Sequence, residues 1–240
     1  MIIVTGAQGG IGTALLNDLE KLNQPCLAIT TSEIPKDTND LIEFVRVAKS
    51  GDDHTLYEEY LNIFKKHGSQ TTGVALLHGV VYYADREDGF LQTFRKNIEG
   101  NLLLTNVIIR AFLASRESNG KDTLCSVVLV GTASANRGGR IDSNPGYAVA
   151  KYALQNLVKA YGKSHADTLC RFNCVALGFI DSGLHGKNNS MFSYTERVSS
   201  IPMGRAGSVT EASSVIRFLL SSDSEFINGQ TLSVDGGDFI

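Results

Sequence analysis

The sequence has little of several features that mark particular classes of protein. Only four of its 240 residues are proline, and no Pro/Ser-rich tract divides it, which argues against a linker between domains. Its 22 basic residues do not exceed its 25 acidic ones and form no stripe, so we expect no nucleic-acid partner. The apolar runs are far shorter than the ~18 residues of a membrane span. A strand-like run begins at Ile2, which leaves no room for a signal peptide, so we expect no membrane partner.

Cysteine is also scarce. The sequence contains four cysteines: Cys26, Cys125, Cys170 and Cys174. They lack the paired C-x-x-C spacing of a zinc site and the density of a disulfide scaffold, and three lie in apolar runs. The sequence therefore predicts buried thiols in a reducing, cytoplasmic environment and no metal centre.

Short strand-like runs alternate with longer helical patterns along the whole chain. The strand-like runs are Ile2–Thr5, Cys26–Thr31, Phe44–Val47, Gly73–His78, Ser126–Val130, Phe172–Ala176 and Leu232–Val234. The helical patterns lie near 11–22, 53–67, 94–115, 145–163 and 209–221. This alternation predicts an α/β fold, a doubly wound parallel sheet of about seven strands with helices on both faces. We expect one domain over residues 1–240, with an irregular stretch near 178–204 in which 183–204 forms a substrate lid.

A glycine-rich loop follows the first predicted strand. Ile2–Thr5 runs into Gly6-Ala7-Gln8-Gly9-Gly10-Ile11-Gly12 and then into a predicted helix. Glycines allow the backbone to approach a pyrophosphate, and the helix N-terminus supplies unpaired N–H groups. A plain strand-to-helix turn is the alternative, but the loop opens a βαβ pattern, which is the context that a dinucleotide site needs. The loop therefore predicts a Rossmann fold that binds a dinucleotide.

A tyrosine and a lysine lie four residues apart in Gly146-Tyr147-Ala148-Val149-Ala150-Lys151-Tyr152. On a helix this spacing puts both side chains on one face. The pair is either an ordinary half-buried tyrosine beside a solvated lysine or an acid whose pKa the lysine lowers. A charge about 5 Å away at an effective dielectric of ~20 contributes roughly 3 kcal/mol, or about two pKa units. Tyr152 has no lysine four residues on and is expected to be structural.

These motifs together resemble the short-chain dehydrogenase/reductase family, and in particular its 3-oxoacyl-carrier-protein reductase-like members. The loop reads TGxxxGIG from Thr5, the pair reads Tyr-x-x-x-Lys, and Asn97 opens an N-x-x-G motif. Residues 201–211 and 228–237 match the closing segment of the family, so the resemblance spans the chain. It implies an NAD(P)(H)-dependent oxidoreductase that interconverts a ketone and a secondary alcohol by hydride transfer. Tyr147 is then the acid/base, Lys151 also holds the nicotinamide ribose, and Asn97 orders a water in the proton relay.

A third hydroxyl is expected to hold the substrate carbonyl, and two residues compete for this role. The end of the predicted strand at Gly131 selects Thr132, whereas the usual separation of 13 residues before Tyr147 selects Ser134. Either hydroxyl can donate to an oxyanion, and both can instead cap the strand end.

The resemblance also implies a set of residues that contact the cofactor. These are Gly6, Gln8, Gly9, Gly10, Ile11, Thr31, Ser32, Gly79, Tyr147, Lys151, Gly178, Ile180 and Ser182. Thr31 and Ser32 stand where an acidic residue would select NAD, which favours NADP(H) over NAD(H). Against this, Gly9 occupies a position where many NADP users have arginine, and Glu33 could still reach the ribose.

The sequence departs from the family pattern at three places. Leu76-Leu77-His78-Gly79 replaces NNAG, Leu177 replaces the proline of a PG turn, and Lys49-Ser50 stands near the place of an acidic residue after the third strand. These changes keep open a second hypothesis, a catalytically silent cofactor-binding or scaffolding protein. Retention of Tyr147 and Lys151 argues against it. A Rossmann methyltransferase would explain neither this pair nor the C-terminal segment.

The resemblance implies a small-molecule carbonyl or alcohol substrate without identifying it. It also implies a homodimer or homotetramer, in which helices near 97–115 and 145–163 pair between subunits. Long apolar stripes on both predicted helices are compatible with such pairing.

Overall fold

The computed structural model describes residues 1–36, 39–48, 51–83, 89–119, 123–137, 145–183 and 194–239. The strands are β1 (Ile2–Thr5), β2 (Cys26–Thr30), β3 (Ile42–Arg46), β4 (Gly73–Leu76), β5 (Cys125–Thr132), β6 (Cys170–Leu177) and β7 (Thr231–Val234). The α-helices are α1 (Gly10–Lys21), α2 (Asp53–His67), α3 (Phe90–Ile98), α4 (Leu104–Asn119), α5 (Pro145–His165), α6 (Tyr194–Ser199) and α7 (Val209–Leu220). A π-helical turn, Glu99–Leu103, joins α3 to α4.

The strands form one parallel sheet in the order β3-β2-β1-β4-β5-β6-β7. Strand order reverses between β1 and β4, so their carboxyl ends, at Thr5 and Leu76, flank a crevice. Ligands of doubly wound sheets bind at such a switch point. The predicted α/β, Rossmann-type architecture is confirmed.

Apolar side chains cover both faces of the sheet. β1 and β6 are buried along their whole length, as strands between two helical layers are. One core cluster includes Leu15 of α1 and Ile216 of α7, and the opposite cluster includes Phe64, Phe112 and Leu154 of α2, α4 and α5. With both faces filled, the carboxyl edge of the sheet is left for a ligand site.

Local interactions fix the start of α7. The Ser208 hydroxyl accepts the Glu211 N–H at 3.1 Å, and Glu211 Oε2 accepts the Ser208 N–H at 2.8 Å. This capping box stabilises the helix N-terminus. Arg205 adds an ion pair to Glu211 at 2.6 Å, and its hydrogen bonds hold the pKa of that carboxyl at about 2.

Several predicted boundaries were wrong. β4 ends at Leu76 rather than His78, because the backbone beyond Leu76 leaves the sheet and is held by hydrogen bonds to Asn97 and Asn101. The helix predicted near 94–115 is interrupted by the π-helical turn, which a 3.6-residue pattern does not reveal. The stretch near 178–204 is not wholly irregular, because it contains α6. Residues 184–193 of the predicted lid, and Lys49-Ser50, lie outside the described residues.

One continuous helical stretch, Phe90–Ser118, is long and apolar enough to cross a membrane by length and composition alone. Core helices of globular proteins meet the same criteria. Its residues Ile108, Ile109 and Phe112 pack in the core against the sheet, so this stretch is weak evidence for a membrane span.

Candidate active site

The glycine loop runs from β1 directly into α1. Gly6 has a φ of +64°, and a Cβ there would lie 2.7 Å from the backbone nitrogen of His78. A Cβ on Gly10 would lie 2.6 Å from the backbone oxygen of Ser182. Glycine is required at both positions, because the chain after β4 and the chain after β6 lie against the loop. The backbone of Ser182, one of the predicted cofactor residues, therefore lies against the glycine loop.

The N-terminus of α1 suits an anionic ligand. The helix begins at Gly10, its N-cap residue Gly9 offers no side chain, and its first turn carries no acidic residue. The N–H groups of this turn and their partial positive charge match the pyrophosphate of a dinucleotide. Ile11 packs against the core and fixes the direction of the helix. The loop therefore fits a nicotinamide dinucleotide.

Gln8 links the glycine loop to the end of β2. The Thr30 hydroxyl donates to Gln8 Oε1, and Gln8 Nε2 donates to the Glu33 carbonyl oxygen at 2.8 Å. The Thr30 hydroxyl also accepts the Ser32 N–H at 3.0 Å. Thr31 and Ser32 are exposed in this turn, beside the Gln8 side chain. Gln8, Thr31 and Ser32, three of the predicted cofactor residues, therefore lie around the end of β2.

Tyr147 and Lys151 converge as the spacing predicts. The Lys151 ammonium lies 5.9 Å from the centre of the Tyr147 ring. Its Nζ donates to the Val130 carbonyl oxygen at 3.0 Å, and only 4% of the residue is exposed. The alternative of a solvated lysine is wrong, because this side chain points under the carboxyl edge of the sheet.

The predicted effect of Lys151 on the pKa of Tyr147 is wrong in this structure. Burial raises the pKa of the Tyr147 phenol to about 12, and the neighbouring Tyr83 phenol adds to the rise. Burial also lowers the pKa of Lys151 to about 8. Removal of water disfavours the charged form of each group, which raises the pKa of a phenol and lowers that of an ammonium. Tyr147 is therefore a phenol that holds its proton firmly, beside a lysine that releases its own near neutral pH.

Two asparagines of the interrupted helix hold the chain that follows β4. Asn97 is fully buried, its Oδ1 accepts the Tyr82 N–H at 3.1 Å, and its Nδ2 donates to the Tyr82 carbonyl oxygen at 2.8 Å. One turn later, Asn101 makes the same two bonds to Val80, at 3.2 Å and 2.8 Å. Asn97 therefore does not face solvent. Its side chain positions the backbone at the rim of the site.

His78 is the centre of a polar network that the sequence interpretation missed. Its Nδ1 lies 2.7 Å from the Thr5 hydroxyl, and its Nε2 lies 2.9 Å from the Thr105 hydroxyl. Thr105 donates its own proton to the Asn101 carbonyl oxygen at 2.6 Å, so it accepts from the imidazole. This assigns the neutral tautomer with a proton on Nε2. The signal in the sequence was the spacing of Asn97, Asn101 and Thr105, three polar residues four apart on an apolar helix.

Replacing His78 by leucine is expected to destabilise the protein in a pH-dependent way. At pH 7 we expect a loss of about 1–3 kcal/mol in the free energy of unfolding, because the buried Thr5 hydroxyl loses its acceptor. Burial, with a contribution from the Lys151 charge, lowers the pKa of His78 to about 3. The unfolded chain therefore binds a proton below about pH 6.5 that the folded protein does not. Folded wild type thus loses stability as pH falls from 6.5 towards 3.

Urea unfolding at pH 4–7 tests this expectation. The wild-type free energy should rise with pH more steeply than that of His78→Leu, by up to about 1.4 kcal/mol per pH unit. His54→Leu, at an exposed position of α2, serves as the control and should leave both the stability and the slope nearly unchanged. Parallel curves for wild type and His78→Leu would contradict the neutral, buried assignment.

Thr132 and Ser134, the two candidates for the substrate-holding hydroxyl, lie side by side. Their oxygens are 2.9 Å apart, and Thr132 Oγ1 also donates to the Leu177 carbonyl oxygen at 3.3 Å. Gln155 of α5 fixes the strand end by donating to the Thr132 carbonyl oxygen at 3.0 Å. Thr132 is buried, whereas Ser134 is partly exposed. The geometry keeps both as candidates and lets one hydroxyl orient the other.

The remaining predicted cofactor residues flank the same crevice. A Cβ on Gly79 would lie 3.0 Å from both Asn101 Oδ1 and Lys151 Nζ, so a side chain there would crowd both groups. Gly178 packs against Asp235 of the C-terminal segment, where a Cβ would lie 2.6 Å from its Cα. Ile180 forms a bridge to Gly207. The residues after β6 are therefore held against the C-terminal segment.

Comparison with known proteins agrees with this geometry. A family model described as enoyl-(acyl carrier protein) reductase matches residues 70–238. An uncharacterised short-chain type dehydrogenase/reductase of Sinorhizobium fredii is 31% identical over 144 residues, which cover 60% of this chain and 54% of that protein. The 3-oxoacyl-[acyl-carrier-protein] reductase FabG of Thermotoga maritima is 24% identical and covers 98% of this chain and 96% of its own length.

A solved structure shares the fold over the whole chain. The short-chain dehydrogenase of Leptospira borgpetersenii, determined with bound NAD+, superposes with a TM-score of 0.86 at 20% identity. The superposition covers 100% of this chain and 92% of that one. Sheet order, glycine loop, Tyr-x-x-x-Lys pair and the match to the family together show that the chain belongs to the short-chain dehydrogenase/reductase family of oxidoreductases.

Proposed function

We propose that the protein interconverts a ketone and a secondary alcohol, with Tyr147 as the acid/base. The observation that carries the proposal is the Lys151 ammonium, buried 5.9 Å from the centre of the Tyr147 ring. Burying a lysine charge without a carboxylate partner costs free energy, and ionisable groups held at such a cost are concentrated at functional sites. Thr132 and Ser134 lie at the end of β5, the same strand that accepts a hydrogen bond from Lys151.

Each residue has a defined part in this proposal. The glycine loop holds the pyrophosphate of the cofactor, and Gly79 and the residues after β6 hold its nicotinamide end. A bound nicotinamide supplies or accepts the hydride. Tyr147 gives its proton to the carbonyl oxygen of the ketone, or takes one from the alcohol in the reverse direction. Thr132 or Ser134 donates a hydrogen bond to that oxygen, and Lys151 returns the proton to Tyr147.

The test is turnover of a panel of ketones, hydroxy compounds, 3-oxoacyl thioesters and one 2-enoyl thioester with NADPH and with NADH. We expect reduction of a ketone carbonyl, including the 3-oxo group of a 3-oxoacyl thioester, and no reduction of the enoyl carbon–carbon bond. Reduction of the enoyl thioester alone would replace the proposal with the activity that the family description carries. Tight cofactor binding with no turnover of any compound would support the catalytically silent protein instead.

We propose NADP(H) as the preferred cofactor. The turn after β2 exposes the hydroxyls of Thr31 and Ser32, which can donate to a 2′-phosphate, and Gln8 beside them is neutral. The Leptospira structure, in contrast, holds NAD+. The KM values for NADPH and NADH, measured with the same panel of substrates, give the cofactor preference directly. A lower KM for NADH than for NADPH would contradict the proposal.

We also propose that two copies pair through α5. An apolar groove of about 820 Å³ runs along this helix, and its lining includes Leu102, Val149, Tyr152 and Leu157. Val149 and Tyr152 are half exposed there. We expect Val149→Glu to convert a dimer or tetramer into smaller species, because it places a charge in the buried seam. Sedimentation velocity of wild type and variant checks this, and a monomeric wild type would contradict it.

The cytoplasmic location stays a prediction.

A further inference from the structure

Two aromatic side chains at the rim of the site each lie beside a cation. Tyr82 and Tyr83, at 41% and 46% exposure, follow β4, and Asn97 fixes the backbone of Tyr82 through two hydrogen bonds. The Lys96 ammonium lies 5.8 Å from the centre of the Tyr82 ring. Burial raises the pKa of the Tyr83 phenol, and the charge of Arg197 partly offsets that rise. The Lys96 ammonium therefore lies beside Tyr82, and the charge of Arg197 acts on Tyr83.

The Arg197 guanidinium is held in place by aromatic packing. It lies 5.0 Å from the centre of the Phe179 ring, and the Phe179 ring packs edge-on against Tyr194 at 5.5 Å. A guanidinium over a ring keeps its N–H donors free at the edge. Neither Arg197 nor Lys96 forms an ion pair with a carboxylate in the part of the chain that the structure describes.

The Arg197 guanidinium lies at the same edge of the sheet as Tyr147, the proposed acid. Phe179 is two residues beyond Leu177, whose carbonyl oxygen accepts from Thr132, one of the two substrate-holding candidates. Tyr83 is near enough to Tyr147 to affect its ionisation, and near enough to Arg197 to feel its charge. Phe179, which carries Arg197 over its ring, follows β6, Tyr83 follows β4, and Gly146 packs against Asn97, so these groups and Tyr147 lie at the same carboxyl edge of the sheet.

We infer that the substrate carries an anionic group, a carboxylate or a phosphate, that binds Arg197 and Tyr83 while its ketone carbonyl faces Tyr147. This rests on the proposed function and adds a substrate class to it. Arg197 is the specificity-determining residue, because a guanidinium with free donors binds an oxyanion through charge-assisted hydrogen bonds. Lys96 adds a longer-range attraction, which salt weakens.

The experiment compares matched pairs of probes that differ in one charge. Acetoacetate is paired with methyl acetoacetate, and dihydroxyacetone phosphate with dihydroxyacetone, so the two pairs distinguish a carboxylate from a phosphate. Both kcat/KM and direct binding by calorimetry are measured for wild type, Arg197→Gln and Arg197→Lys. Binding is measured so that a probe without turnover still tests the inference. Lys163→Gln, about 24 Å from Tyr147 along α5, is the matched charge control.

We expect Arg197→Gln to lower kcat/KM and affinity for at least one anionic probe about tenfold, with less than a twofold change for its neutral partner. Arg197→Lys should restore part of the loss, and Lys163→Gln should have no effect. Equal losses for charged and neutral probes, or a higher KM for the cofactor instead, would overturn the inference. The inference would also be overturned if the wild-type protein bound neither anionic probe more tightly than its neutral partner. If neutral ketones are turned over and substitution of Arg197 has no effect, the inference fails but the proposed reaction stands. If no ketone is turned over, the proposed reaction itself fails.

Discussion

Tyr147→Phe is expected to lower kcat about a thousandfold while the affinity for the cofactor stays within about twofold. A positioned acid contributes roughly 10²–10⁴ to a rate, and phenylalanine keeps the ring while removing only the hydroxyl group. The pKa of about 12 makes this phenol a reluctant acid in the structure without substrate, so catalysis depends on its neighbours. The measurement is kcat with the best substrate of the panel, with cofactor binding followed by fluorescence.

Tyr152→Phe is the control for this variant. It removes the same atom from the same helix, but Tyr152 is half exposed and lines the groove rather than the crevice. We expect its kcat to stay within about twofold of wild type. Equal losses in the two variants would show that the helix, and not the Tyr147 hydroxyl, is responsible. Wild-type activity in Tyr147→Phe would remove Tyr147 as the acid.

Lys151→Met is expected to abolish most activity and yet to make the protein more stable. Loss of the ammonium removes both the proton donor to Tyr147 and the group that would hold the cofactor ribose, so we expect kcat/KM to fall about a hundredfold or more. The buried charge itself opposes folding. A pKa lowered from 10.5 to about 8 corresponds to roughly 3 kcal/mol of unfavourable burial at neutral pH. Methionine fills a similar volume without that charge.

The pH dependence separates these two effects. Between about pH 8 and 10.5 the unfolded chain holds a proton on Lys151 that the folded protein has lost, so wild-type stability rises with pH across this window. Lys151→Met should lack that rise. Wild-type kcat/KM should instead fall as pH increases through about 8, because the ammonium becomes neutral. Thermal unfolding and pH–rate profiles of both proteins give the two curves.

Two further variants test whether the effects of Lys151→Met are specific to that position and to its charge. Lys159 lies at an exposed position of the same helix, so Lys159→Met should change neither activity nor stability by much. Lys151→Arg keeps a charge at all pH values and should remove the decline of activity near pH 8, although its larger head reduces the rate. A lower melting temperature for Lys151→Met would contradict the unfavourable burial of the ammonium.

Local patterns in the chain were enough to predict the order of the seven strands and of the helices between them, apart from α6. Apolar periodicity and glycine placement depend on neighbours within a few residues, so β1, the glycine loop and α1 could be read directly. The Tyr147–Lys151 spacing predicted a shared helix face for the same reason. The π-helical turn at Glu99–Leu103 could not be predicted, because it depends on Asn97 and Asn101 bonding to a distant segment.

The sequence by itself determined the α/β class, the dinucleotide loop, and the pair Tyr147 and Lys151, since each is set by residue type and local spacing. Only the tertiary structure decided which groups lose their water. Burial reversed the expected change in the pKa of Tyr147, made His78 a neutral link between Thr5 and Thr105, and placed Arg197 over Phe179. Desolvation and long-range hydrogen bonds depend on contacts between residues far apart in the chain, which a linear pattern does not contain.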